Sequence, residues 1–228
     1  MKRITGYFSM GDIILWCSSV LLILISFLIF DGKGFLTLSA SLIGVTSLIF
    51  CAKGNPIGQL LMVAFSIIYG IISYSFAYYG EMITYLGMTM PMAVFSLISW
   101  LKNPYNGNKS EVAVNYISGK EVCFMVILTI AVTVIFYYIL KAFDTANLFP
   151  STISVTTSFI AVYLTFRRCP QFALAYAAND IILIILWSIA STENSRYISV
   201  VVCFAAFLVN DIYGYISWQR MAKRQLSQ

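Results

Sequence analysis

Apolar residues run along this chain in eight unbroken stretches, 13–30, 35–52, 57–79, 82–101, 122–140, 151–166, 172–190 and 197–218, each closed by a short charged or polar turn. Every stretch is close to the roughly 20 residues that an α-helix needs to cross about 30 Å of hydrocarbon. Membrane-spanning strands would read as segments of about 10 residues with alternating polarity, and these runs do not alternate. The pattern predicts an all-α integral membrane protein of eight transmembrane helices, since helices satisfy their own backbone hydrogen bonds where water is absent.

Composition agrees. With 60% hydrophobic residues, 10% charged residues and a mean hydropathy of +0.86, the 228-residue chain has too little polar surface to cover a soluble globule. Its net charge of +5 reports topology. If the chain threads eight times, Lys2, Arg3, Lys53, Lys102, Lys109, Lys120, Arg167, Arg168, Arg220, Lys223 and Arg224 fall on one side, and only Lys33, Lys141 and Arg196 on the other. That bias places the basic side, and with it both termini, in the cytoplasm. The basic residues are split among separate segments, so no nucleic-acid face and no nucleic-acid partner is expected. Lys2 and Arg3 before an apolar run imitate a signal peptide, but without a convincing small-x-small cleavage site the run reads as a retained first helix.

Candidate chemistry is sparse. Cys17, Cys51, Cys123, Cys169 and Cys203 are scattered without a CxxC pair and read as small packing residues. The chain has no histidine, which removes the commonest general base and metal ligand. Dinucleotide-binding, phosphate-loop, serine-hydrolase and zinc-protease motifs are absent from it. The Asn108-Lys109-Ser110 sequon falls in a cytoplasmic loop and reads as chance. No enzyme activity, cofactor or metal is therefore expected; Asp180 and Asp211 are the only acids that could serve as a catalytic pair.

An internal repeat organises the spans. Ile98-Ser99-Trp100 matches Ile216-Ser217-Trp218 at an offset of 118, and Ala52-Lys53-Gly54 aligns with Phe166-Arg167-Arg168 at an offset of 114. Helices two to four and six to eight thus read as one three-helix unit used twice, with helix five returning the chain so that the copies run parallel. The expected divisions are 1–34, an N-terminal segment with an additional helix; 35–103, the first repeat; 104–149, a cytoplasmic loop and linker helix; 150–219, the second repeat; and 220–228, a basic tail.

Polar residues within the spans mark a path. An acid near a helix centre costs about 2.5 to 3.5 kcal/mol on insertion scales, and Asn179-Asp180 and Asn210-Asp211 place two at similar depth. Tyr176, Asn179, Asp180 and Trp187 share a helical stripe, as do Asn210 and Tyr213, and Tyr69 and Ser73 on helix three. These eight are the candidate substrate-binding residues. Aromatic rings beside amides suit a flat, hydrogen-bonding ligand such as a nucleoside or heterocyclic vitamin. The competing reading is structural: Asn, Ser and Gly join transmembrane helices, and Trp100, Trp218, Tyr78 and Tyr79 at span ends fit interfacial belts or packing. Pro91 is expected to kink helix four.

Ala52-Lys53-Gly54-Asn55, Tyr69-Gly70, Ile72-Ser73-Tyr74, Tyr79-Gly80-Glu81, Pro91-Met92, Trp100-Leu101-Lys102-Asn103 and, most specifically, the segment from Asn210 to Trp218 with its Asn-x-x-Tyr-Gly-x-x-x-Trp pattern resemble the PnuC family of bacterial vitamin transporters. The resemblance covers roughly residues 35–224. It implies a three-plus-one-plus-three helix plan similar to a full-length SWEET transporter, residence in the bacterial inner membrane, and passage of nicotinamide riboside down its gradient. It further implies a functional link to a cytosolic kinase that traps the nucleoside, and a homotrimer. Asn179, Trp187, Asn210 and Tyr213 match the family's pattern. Phe65 stands where asparagine is common, Ala93 where glutamine is, and Phe172 and Tyr176 where tryptophans are, so thiamine, riboflavin, deoxynucleosides and proton coupling stay open. A ligand sensor or scaffold is the alternative of another class.

A fluorescent reporter fused in the 102–121 loop or after Trp218 should mature only in the cytoplasm, and alkaline phosphatase fused beside Lys141 should be active only outside. The reverse activities would overturn the orientation.

Overall fold

The computed structural model describes residues 7–75, 78–145 and 147–227; Lys2 and Arg3 lie outside them. Eight spans are present among the described residues. Helix α1 (Met10–Ser26) continues into a π-helical turn, Phe27–Asp31, and is followed by α2 (Phe35–Ala52) and α3 (Pro56–Ser75). The fourth span is built from α4 (Tyr79–Thr84), a π-helical turn Tyr85–Thr89, and α5 (Met90–Lys102). A short hairpin, β1 (Pro104–Tyr105) and β2 (Asn108–Val112), leads to α6 (Gly119–Ala142), α7 (Leu148–Phe166), α8 (Phe172–Ser191) and α9 (Ile198–Leu226).

Two details differ from the sequence pattern. The third apolar stretch, read as 57–79, stops being α3 at Ser75, and Tyr79 opens α4. Close packing explains the early start of the fourth span: a Cβ on Gly80 would collide with Thr145 and crowd Leu140. The loop after Lys102 carries a hairpin that apolar periodicity alone does not reveal. Asn106 and Gly107, at φ 46° and 78°, form its two-residue turn, and Asn-Gly is the dipeptide that accepts two positive φ values most readily.

The π turn sits where the sequence puts a proline. Pro91 occupies the first turn of α5; its missing N–H and its ring disturb the helical ladder one turn earlier. Widening the helix there turns both Tyr85 and Thr89 toward the bundle interior, where both are buried. Insertions of this type are frequent at functional sites.

Helices α2, α3, α5, α7, α8 and α9 pack successively and close into a ring, because α9 returns to α2 and α5 meets α7. α1 packs outside on α2 and α9, and α6 outside on α7. The outward faces of these two, with Leu21, Leu28, Ile127, Ile130 and Ile135 exposed, are the surfaces the hydrocarbon covers.

Hydrogen bonds across the ring come in pairs. Trp100 Nε1 donates to the Thr165 carbonyl at 3.0 Å and Trp218 Nε1 to the Cys51 carbonyl at 2.7 Å. Ser99 Oγ donates to Phe166 at 2.9 Å and Ser217 Oγ to Ala52 at 2.7 Å. Helix α5 thereby caps the open carbonyls at the end of α7, and α9 those at the end of α2. The turns that follow match too: Gly54 and Arg168 take left-handed φ values of 66° and 59°, and Asn55 N–H to Phe50 and Cys169 N–H to Leu164 are both 3.0 Å. The hairpin covers this same end. Val112 N–H reaches Gly54, Asn115 N–H reaches Arg168, and Gln225 Oε1 accepts from Val114. The ion pairs Lys53–Asp12, Arg167–Glu121 and Arg224–Glu111 all lie here, at the basic end.

Replacing Trp100 or Trp218 by Phe should lower the melting temperature in detergent. Losing the hydrogen bond costs about 0.5–1.5 kcal/mol, with more from the cavity left behind. Their rings lie 5.4 Å apart, so the double variant should depart from the sum of the singles. Unchanged melting in both singles would show that these bonds do not hold the ring closed.

Candidate ligand site

At mid-bundle the ring encloses a cavity of about 30 Å³ lined by Leu48 of α2, Met62 and Phe65 of α3, Tyr85 and Thr89 of the π turn, Ser158 of α7, Tyr176, Asn179 and Asp180 of α8, and Phe204, Phe207 and Asp211 of α9. Aromatic rings predominate, because a ring face fills a helix–helix gap while its edge tolerates polar neighbours. Room for Phe207 depends on Gly44, whose hypothetical Cβ would overlap that ring. The cavity holds about two water-sized bodies, far below the 300–1,000 Å³ of ordinary ligand pockets; this conformation is contracted around its centre.

Asn179 is the best-anchored polar group. Its Oδ1 accepts hydrogen bonds from Thr157, Ser158 and Ser154 at 2.9, 3.0 and 3.3 Å. A carbonyl oxygen has two lone pairs, so three hydroxyl donors commit it fully and leave the Nδ2 donors for a ligand. Two of the donors, Ser154 and Ser158, belong to a buried hydroxyl stripe on α7 that also includes Ser151 and Thr165 and whose spacing is helical; Thr157 adds the third from beside it. That stripe was readable in the sequence, and periodic hydroxyls are the signal that finds it.

Asp180 and Asp211 face each other within hydrogen-bonding reach across the cavity that both line. Asp180 is 4% exposed and its Oδ2 has no partner. When one carboxyl carries a proton it can donate to the other. A third acid, Glu81, is 1% exposed; it bonds Ser154, which in turn bonds Asn179. Sequence reasoning placed Glu81 only within a turn motif, because the early start of α4 that buries it is a tertiary effect.

Of the eight sequence candidates, the structure brings Tyr176, Asn179 and Asp180 to the cavity wall. Tyr69 and Trp187 stand just beyond it: Trp187 Nε1 donates to Tyr69 Oη at 2.7 Å, and the Tyr69 ring lies 4.4 Å from Tyr85 and 5.4 Å from Phe65. Ser73 is buried, with an unpartnered Oγ, outside the cavity lining. Asn210 and Tyr213 turn the other way. Asn210 Nδ2 donates to Ser19 of α1 at 2.9 Å, and Tyr213 Oη donates to Asp12 of α1 at 2.6 Å. The reason is the phase of α9. Its inward stripe is Phe204, Phe207, Asp211 and Trp218, and the neighbouring residue Asn210 lies about 100° around the helix, against α1.

Rings close the cavity on both sides. Toward the basic end, Phe172, Trp100 and Trp218 cluster, with Phe172 4.9 Å from Trp218; both tryptophans have 0% exposure and are packing residues, not a belt. Toward the other end, Tyr78 packs against Trp187 with ring centroids 4.8 Å apart and planes tilted by 39°. Outside the first cluster a wider vestibule of about 450 Å³ is lined by Lys53, Glu111, Tyr213, Arg220 and Arg224, among others.

Eight apolar spans, six of them closed in a ring around a polar, aromatic-walled centre, are the architecture of a membrane transporter. The chain belongs to the nicotinamide mononucleotide transporter family, whose model matches residues 34–220. It is similar to the nicotinamide riboside transporter PnuC of Neisseria mucosa, with 25% identity over 205 residues, 88% of this chain and 78% of that protein. It is also similar to the nicotinamide riboside transporter PnuC of Haemophilus influenzae, with 22% identity over 190 residues, 83% and 81% of the two chains. The crystal structure of the vitamin B3 transporter PnuC superposes with a TM-score of 0.84 at 21% identity, covering 96% of this chain and 94% of that one.

Tyr69→Phe should remove the hydroxyl that accepts the hydrogen bond of the buried Trp187 Nε1. The expected loss is about 1–3 kcal/mol in thermal melting, with altered tryptophan fluorescence. An unchanged melt and spectrum would show that the Tyr69–Trp187 bond is incidental.

Proposed function

We propose that the chain carries nicotinamide riboside through the bacterial inner membrane by facilitated diffusion, with the basic end and both termini in the cytoplasm. The observation that carries this reading is the mid-bundle cavity, in which aromatic walls stand beside one fully anchored amide, Asn179. Membership of the nicotinamide mononucleotide transporter family over 34–220, and similarity to two nicotinamide riboside transporters, support it. The paired hydrogen bonds at the basic end support treating 35–103 and 150–219 as two copies of one unit. In a transport cycle the Tyr78–Trp187 and Trp100–Trp218 clusters open in turn, and the cavity expands to admit a nucleoside. A cytosolic kinase then traps the product, so that no coupling ion is needed. α1 buttresses the ring through Ser19 and Asp12, and the protein assembles as a homotrimer.

A different substrate is the second reading, and Phe65 favours it. Where the family commonly has an amide, this chain has a ring packed 5.6 Å from Phe207, and Ala93 is a small buried residue where glutamine is common. Both changes remove hydrogen-bonding capacity, which points to thiamine or another ligand recognised less by its edges.

Labelled nicotinamide riboside, thiamine, riboflavin and deoxynucleosides should be offered to proteoliposomes with and without an enclosed kinase and a proton gradient. Saturable riboside uptake that ignores the gradient is expected, and Asn179→Leu should reduce it at least tenfold, the equivalent of about 1.4 kcal/mol of lost binding. Uptake of another substrate instead would establish the second reading; no flux would return the sensor or scaffold.

A further inference from the structure

The vestibule at the basic end shares no lining residue with the mid-bundle cavity. At about 450 Å³ it falls within the 300–1,000 Å³ of ordinary ligand pockets. The α9 residues in its wall, Tyr213, Ser217, Arg220 and Arg224, recur at helical spacing, on the face from which Tyr213 reaches Asp12 of α1. Opposite them stand Ser9, which caps α1, Lys53 at the end of α2, and Glu111 of the hairpin. The space therefore straddles the seam where α2 meets α9, one of the two contacts between the halves of the bundle.

Its polar groups leave a surplus of donors. Both carboxyl oxygens of Asp12 are occupied, Oδ1 by Tyr213 and Oδ2 by Ser9 and by Lys53 at 3.2 Å. Glu111 Oε1 accepts from Arg224 and, at 2.9 Å, from Gln225, and Ser217 Oγ is spent on the Ala52 carbonyl. Arg220 is exposed and enters no ion pair among the described residues. Its guanidinium has five N–H donors and no acceptor, and the Lys53 ammonium has three, of which Asp12 takes one. With Asp12 counted beside the lining residues, Lys53, Arg220 and Arg224 outnumber Asp12 and Glu111, so one positive charge is left over. A phosphate monoester brings about −1.5 to −2 charges and three acceptor oxygens, which is what this wall lacks. Bare phosphate would leave most of the volume empty. Tyr7, held by Asn55 and the Ser110 carbonyl at 2.9 and 3.0 Å, and Asn108 add the ring and amide surface that a base uses.

We propose, resting on the transport reading above for the side of the membrane, that this vestibule is a regulatory site for a cytoplasmic nucleoside monophosphate, the phosphorylated form of the transported nucleoside, which slows uptake when it accumulates. Arg220 is the principal phosphate ligand, with Lys53 and Arg224 beside it. Because Lys53 ends α2 and both arginines belong to α9, a phosphate held between them ties the two helices together at their seam and keeps the basic end shut. The unphosphorylated nucleoside brings no anionic group to this wall and leaves the seam free.

The test uses nicotinamide mononucleotide, inorganic phosphate and phosphatidylglycerol as probes of the full-length protein. In detergent, the mononucleotide should raise the melting temperature, and Arg220→Gln should abolish that rise while keeping any rise caused by nicotinamide riboside; Arg220→Lys should restore part of it. In proteoliposomes, enclosed mononucleotide should lower the initial rate of riboside uptake about fivefold, the low end of couplings between distinct sites, and Arg220→Gln should escape this inhibition. Several results overturn the proposal: no stabilisation by the mononucleotide, stabilisation that survives Arg220→Gln, or an equal rise with inorganic phosphate, which would mark a site for small anions. A rise with phosphatidylglycerol and not with the mononucleotide overturns it too, in favour of a lipid headgroup. Stabilisation by the mononucleotide with uptake unaffected sinks the regulatory role. Stabilisation that depends on Arg220, in a protein that moves no riboside, sinks the transport reading and keeps the site.

Discussion

Hydrocarbon supplies no hydrogen bonds, and that single property of the solvent arranges most of this molecule. Each polar group within the spans must be answered by protein. Ser66, Thr84, Thr129 and Thr165 do so locally, bonding the carbonyl one turn earlier. Trp100, Trp218, Ser99 and Ser217 do so across the ring, on carbonyls that end α7 and α2. The same bonds that satisfy the solvent therefore join the two halves of the bundle. Among the buried atoms left without a partner are carboxyl oxygens of Asp180 and Glu81, and Asp180 lines the central cavity.

The halves meet in two places, α2 on α9 and α5 on α7, and the restraints on them are concentrated at one end. The hairpin, the Trp–Trp contact and Asp12 all act at the basic end. Asp12 ties α2 through Lys53 at 3.2 Å and α9 through Tyr213 at 2.6 Å, so α1 spans one seam of the ring without entering it. At the opposite end, rings pack around Trp187, whose Nε1 donates to Tyr69. Aromatic contacts of this type contribute about 0.5–1.5 kcal/mol each beyond burial. Contacts of this kind separate one at a time, whereas the hydrogen-bonded end needs several bonds exchanged together.

All eight spans were legible from apolar length alone, and the class of protein from the absence of water-facing surface. The offsets of 118 and 114 seen in the sequence are the same offsets at which the inter-helix hydrogen bonds recur, because a Trp or Ser at a helix end has one geometry in which it reaches a neighbouring helix's last carbonyls. The candidate site was legible where helical phase was fixed by several residues, as on α8, where Tyr176, Asn179 and Asp180 all reach the cavity. It failed on α9. Asn210 and Asp211 are adjacent, and which of two neighbours turns inward depends on a rotation that only packing against α1 decides; the motif directed attention to Asn210, and Ser19 claims it. Tyr85 and Thr89 were invisible for another reason: they face inward only because the π turn before Pro91 shifts the helical phase.

Phe65 and the acid pair make most sense taken together. An amide at that position would recognise a ligand's edge and would donate to the nearby carboxyls, lowering their demand for a positive partner. A phenyl ring does neither. It packs 5.4 Å from Tyr69 at a shallow angle, adds a face to the cavity wall, and leaves the carboxyls without a donor from that side. The wall at Phe65 therefore offers a ring face in place of an edge-directed amide.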